Sequence, residues 1–202
     1  MKKHKTSVRP DAVQLPPPRP FAGPTVKGRG VVNFRSGTAK DLAAILDVDS
    51  NVESWSSCVG FPEADHIGHL PDFRMVDTEG TIWIIDAPDH ASSQQSDLEG
   101  LARDIGAVYR LVPRTEIYSG FRLRNARDLL HYANYTVTLS DRIRLLATLD
   151  EQGSLPMADC LSVLRVREPV AAVAALMLHG FLEADLDEAL LGPETMVRRI
   201  RS

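Results

Sequence analysis

The stretch "HLPDFRMVDTEGTIWIIDAPDH", residues 69–90, constrains this chain more than any other. Short runs rich in apolar residues flank "DTEG" on either side. Such runs on both sides of a turn predict two strands, and Gly80 supplies the residue that a tight turn needs at positive φ. An aspartate, Asp72, opens the first strand and a second, Asp86, closes the other. An antiparallel hairpin brings such ends together. Two carboxylates so placed can share a divalent metal, and Mg²⁺ or Mn²⁺ held by carboxylates activates water for phosphodiester hydrolysis. A lysine two residues after the second carboxylate would stabilise developing charge. That position holds Pro88. The plainer reading of Asp72 is a hairpin carboxylate satisfied by backbone donors, and of Asp86 a strand exit.

The surrounding order predicts an α/β domain. "SGTAKDLAAILDVDSN" reads as a helix with Leu42, Ile45 and Leu46 on one face and Ser36 or Thr38 as its cap. "NVESWSSCVGF" reads as a strand, "SSQQSDLEGLARDIGA" as a helix, "VYRLVP" as a short strand and "LRNARDLLHYAN" as a helical connector. Helix, three strands, helix and strand make a mixed sheet with helices packed on it. After Ser140 come three helices: one carrying Ile143, Leu145, Leu146 and Leu149, one opened by Pro156, and "EPVAAVAALMLHG". "FLEADL" and "TMVRRI" follow as a hairpin. That is the order of a winged-helix domain.

These elements resemble the TnsA-type endonucleases of bacterial transposons. "HLPDF" is similar to the family's H-x-P-D-F strand, "DLAAILDVDSNVESW" to its aspartate-ended helix leading into the first strand, and "FRLRNARDLL" to its Arg/Asn connector. The resemblance implies a restriction-endonuclease-like core of the PD-(D/E)xK kind, residues 31–139, then a winged-helix-like domain, residues 140–202. It carries the metal-binding aspartate onto Asp72 and the second ligand position onto Asp86. The catalytic lysine falls on Pro88 and the helix glutamate on Arg35, in "FRS". Two of the four positions have lost the needed group. Lys40, Asp89, His90, Glu53 and Glu63 are the nearby groups that could compensate. A separate zinc site from Asp65, His66, His69 and Asp72 is disfavoured, because residues three apart on a strand face opposite ways.

Charge separates the chain into two parts. Residues 1–30 hold four Lys and three Arg against one Asp, giving +6 and leaving −10 for the rest. With "QLPPPRP" this segment reads as a flexible, basic, proline-rich arm, able to touch phosphate or a proline-binding domain. The acidic body argues against indiscriminate DNA binding. Its best phosphate contacts are Arg110, Arg114, Arg122, Arg124 and Arg127, interleaved with Tyr109, Tyr118 and Phe121. The third C-terminal helix is too apolar to read base edges and reads as core. No run is long and apolar enough for a membrane span, and no signal-peptide core precedes the arm. Cys58 and Cys160 read as free thiols of a cytoplasmic protein.

The expectation is therefore a non-cleaving, TnsA-like component of a mobile-element or recombination system. It would bind DNA, a transposase or another recombination protein, or a second copy of itself, with no cofactor. The alternative is an active endonuclease using Mg²⁺ or Mn²⁺ on Asp72 and Asp86 in a rearranged site. A regulator reading DNA through the winged helix is a third possibility, and the apolar third helix disfavours it.

Overall fold

The computed structural model describes residues 24–58, 70–90 and 95–200. Its centre is the expected hairpin. Strand β2 (Phe73–Asp77) pairs antiparallel with β3 (Ile82–Asp86), and Gly80 sits in the turn at φ 84°. Strand β1 (Val52–Ser57) pairs antiparallel with β2, and β4 (Val108–Leu111) lies parallel to β3. The sheet order is β1-β2-β3-β4. A parallel neighbour requires a crossover, and helix α2 (Gln95–Asp104) lies in that connection.

Helices cover both faces of this mixed sheet. Ile85 packs with Phe73, Met75 and Trp55 toward helix α1 (Gly37–Val48), while Ile84 packs with Ala102 and Ala107 on the α2 side. Burial on both faces explains why β3 reads as a continuous apolar run. Ser36 caps α1, its Oγ accepting from the Ala39 amide at 3.0 Å. Ser36→Ala is expected to cost about 1 kcal/mol in denaturant unfolding, since an N-terminal amide of the helix then loses its acceptor. Phe34, Trp55 and Phe73 form an aromatic cluster with centroids 5.3–6.4 Å apart.

Two short helices follow: α3 (Arg114–Tyr118), which sequence reasoning did not anticipate, and α4 (Arg122–Leu130). The second unit runs α5 (Leu139–Gln152), β5 (Ser154–Pro156), α6 (Met157–Val163), α7 (Pro169–Leu178), β6 (Leu182–Glu183) and β7 (Met196–Arg199). Its sheet has the order β5-β7-β6. Strand β5 was not foreseen, because three residues carry no periodicity. Thr138 caps α5, accepting from the Asp141 amide. Leu145 and Leu149 are buried as expected, but Ile143 is 57% exposed. Helix α7 is core, with Ala171 to Leu176 and Leu178 all buried.

Residues 25–29, assigned above to the flexible arm, are tied down along β1. The Arg29 amide donates to the Trp55 carbonyl and the Trp55 amide to the Lys27 carbonyl, at 2.8 and 3.1 Å. Residues 1–23, and with them the "QLPPPRP" reading, lie outside the described residues. Among the described residues, no helix is long and apolar enough to cross a membrane.

Candidate functional site

Antiparallel pairing of Phe73 with Ile85 places Asp72 beside Asp86, as the spacing predicts. The two are almost wholly buried, at 4% and 0% exposure. The backbone holds each carboxylate. The Asp72 amide donates to Asp86 Oδ1, and the Ala87 amide donates to Asp72 Oδ2, both at 2.9 Å. Arg35 enters from the segment preceding α1. Its Nε donates to Asp72 Oδ1 at 3.0 Å and its Nη2 to Asp86 Oδ1 at 3.2 Å. Tyr109, paired with Ile84 from β4, donates its hydroxyl to Asp86 Oδ2 at 3.0 Å. Each of the four carboxylate oxygens therefore accepts at least one hydrogen bond from the protein.

The neighbouring acids feel this environment. Burial, and next the Asp86 carboxylate, push the Cys58 thiol up to about 12, in the direction that keeps it protonated. The Tyr109 hydroxyl is likewise pushed well above its ordinary range, by burial first and then by Asp86. It remains a donor.

A hard divalent cation needs open carboxylate lone pairs. Here the guanidinium bridges Asp72 and Asp86, and two backbone amides and the Tyr109 phenol also donate to these carboxylates. Position 88, where an ammonium group was expected, is a proline in the 3-10 turn Pro88–His90. Among the described residues, no group of three or more His, Cys, Asp or Glu side chains is placed to share a metal. The described residues, with Arg35 lying between the two carboxylates, do not fit Mg²⁺ or Mn²⁺. The compensating groups do not change this. Asp89 pairs with Arg114 at 3.3 Å, Lys40 is exposed on α1, and Glu53 is exposed on β1. Glu63, Asp65, His66, His69 and the side chain of His90 lie outside the described residues.

Most of the arginines selected as phosphate contacts have carboxylate partners within the chain. Arg110 pairs with Glu116 at 2.5 Å, and Arg127 with Asp41 at 2.5 Å. Arg114 pairs with Asp89 and lies over the Tyr118 ring, 4.8 Å from its centroid. Arg122 makes a two-pronged contact with Asp187, Nε and Nη2 at 2.8 and 2.6 Å. That contact joins α4 to the loop after β6. Only Arg124 of the five is exposed with no carboxylate partner among the described residues.

Three residues matter more than the sequence suggested. Tyr109 stood out only as an aromatic between arginines. Asn125, buried on α4, binds three backbone groups of residues 186–191. Asp47, 2% exposed, accepts from Thr25, Val26, Lys27 and Trp55. It also lines two cavities, of about 430 and 510 Å³, neither of which reaches Asp72 or Asp86. The available signal for Asp47 was its place four residues after Ala43, on the buried face of α1. No protein-family model matches the chain, and no curated protein matches it.

Proposed function

We propose that this chain is a non-cleaving, TnsA-like component of a mobile-element or recombination system, acting chiefly through protein contact. The observation that carries the reading is the Arg35 guanidinium lying between Asp72 and Asp86. Where hydrolysis needs a divalent ion and an activated water, this chain has a fixed monovalent cation. Arg35 and Pro88 stand where the resemblance expects glutamate and lysine, and both replacements remove chemistry.

Element order supports the fold half of the proposal. Helix, three strands, helix and strand suit a restriction-endonuclease-like core. The succession α5-β5-α6-α7-β6-β7, with its three-stranded sheet, suits a winged helix. The buried α7 weighs against base reading, because a recognition helix needs an exposed polar face. The internal pairing of Arg110, Arg114, Arg122 and Arg127 weighs against a strong phosphate surface in the body. A protein partner, such as a transposase, or a second copy is favoured over DNA for the same reasons.

The test is a plasmid-nicking assay with the full chain in Mg²⁺ and in Mn²⁺, run beside DNA-binding measurements at low and high salt. No nicking is expected, and any DNA affinity should be weak and fall steeply with salt. Metal-dependent nicking abolished by Asp72→Ala would overturn the proposal in favour of an active endonuclease. Tight, salt-resistant DNA binding would overturn its preference for protein contact.

A further inference from the structure

We infer that Arg35 is the resident cation of the Asp72–Asp86 site: a guanidinium built into the chain that excludes a divalent ion and latches the segment before α1 to the ends of β2 and β3. The inference deepens the non-cleaving reading and rests on it.

The backbone on either side of Arg35 is anchored. Phe34 packs in the aromatic cluster, 6.1 Å from Phe73 and 6.4 Å from Trp55 by ring centroids. Ser36 is the cap of α1. Residue 35 is thus positioned before its side chain makes any contact, so little additional freedom is lost when the guanidinium docks. Its planar fork spans two acceptors, with one N–H on each carboxylate. The carboxylates cannot turn toward a metal without releasing the Asp72 and Ala87 amides. A divalent ion would have to break these bonds and expel the guanidinium.

The latch has a structural consequence. The segment from Gly30 to Phe34 is held by the buried Val32, by Phe34 in the aromatic cluster and by Asn33, which exchanges hydrogen bonds with Ser57, while Val31 is exposed. Arg35 links this entry strand to two buried carboxylates. A metal would have brought those carboxylates together without reaching residues 30–34. The arrangement places a permanent covalent part of the chain between the two carboxylates, so their charge compensation does not depend on metal supply.

Thermal unfolding of the full chain, in excess EDTA and in millimolar MnCl₂, tests the inference. Wild type should melt at the same temperature in both. Arg35→Met keeps an unbranched apolar stem but leaves two buried carboxylates without their cation, and should melt roughly 6–15 °C lower. Adding Asp72→Asn and Asp86→Asn to Arg35→Met should recover much of that loss, because the uncompensated charges are gone. Arg35→Glu should melt low in EDTA and be raised saturably by Mn²⁺. Four results overturn the inference: saturable Mn²⁺ stabilisation of wild type, an Arg35→Met chain as stable as wild type, a triple variant no more stable than Arg35→Met, or a folded Arg35→Glu chain indifferent to Mn²⁺. If Arg35→Glu does not fold in either buffer, the Met and triple variants decide the question. Plasmid nicking by wild type sinks the functional reading separately. These melting curves report on Arg35 whether or not that reading stands.

Discussion

Asp47→Ala is expected to destabilise the chain by roughly 3 kcal/mol, because it strands several buried donors at once. Asp47 Oδ1 accepts from Thr25 Oγ1 at 2.8 Å, the Val26 amide at 3.3 Å, the Lys27 amide at 2.9 Å and Trp55 Nε1 at 3.0 Å. Alanine removes the acceptor and leaves the indole N–H, itself buried, with nothing to bond. Residues 25–29 should then leave β1. Urea unfolding, with amide exchange at Lys27 and Trp55, measures both effects. A loss well under about 1 kcal/mol would mean that water replaces the carboxylate and that the clasp is not structural.

The charge of Asp47 has a separate, smaller effect with a definite sign. Burial raises its pKa above the ordinary value, against the opposing pull of the Lys27 amide, Thr25, Trp55 and the Val26 amide. The folded chain therefore holds this proton at a pH where the unfolded chain has released it. The linked stability is fully present below the unfolded pKa and is lost as pH rises through the folded value. Asp47→Asn keeps Oδ1 as an acceptor and removes the titration. It should cost within about 1 kcal/mol and flatten stability in the window just above the ordinary aspartate pKa. An unchanged slope in the asparagine variant would assign the pH dependence to other groups.

Asn125→Ala should cost about 2–4 kcal/mol by the same logic applied between the two units. Asn125 is 1% exposed. Its Nδ2 donates to the carbonyls of Leu186 and Ala189 at 2.9 and 2.8 Å, and its Oδ1 accepts from the Leu191 amide at 3.0 Å. Truncation leaves three backbone groups unsatisfied. Leu186 packs with Leu129, Leu130 and Leu178, so freeing its loop also loosens the apolar contact between α4 and α7. Arg122 grips Asp187 of the same loop. A double-mutant cycle with Arg122→Ala should show non-additive losses, because both side chains hold one segment. Additive losses and unchanged proteolysis within residues 185–192 would show that the loop is held by packing alone.

How much of this was legible in the sequence depended on range. The hairpin was readable because its signals are local: short apolar-rich runs, Gly80 in the turn, aspartates at the two ends. Ser36 was readable as a cap because caps bond three residues ahead. Asp72 and Asp86 could be placed together because one turn separates their strands. The order of the larger elements, hence the mixed α/β arrangement, followed from the same local patterns. Helix α3 and strand β5 escaped because five and three residues show no period. Ile143 fell in a helical apolar pattern yet is exposed, since periodicity alone does not say how wide the covered stripe will be.

The arginines show the other limit. A run of cations interleaved with aromatics looks like a phosphate surface when read along the chain. The carboxylates that engage them come from elsewhere: Asp41 for Arg127, 86 residues away, and Asp187 for Arg122, 65 residues away. No local pattern carries such pairings.

The sequence by itself determined the hairpin strands, the apolar third helix of the second unit, and the chemical identities at positions 35, 72, 86 and 88, because these follow from residue type and short-range geometry. Only the tertiary structure decided that Arg35 lies between Asp72 and Asp86, that Asp47 clasps residues 25–27, and that Asn125 and Arg122 bind the two units together. Each of those depends on desolvated polar groups from distant segments finding one another, and burial, which makes an unpaired partner costly, is a property of the assembled fold.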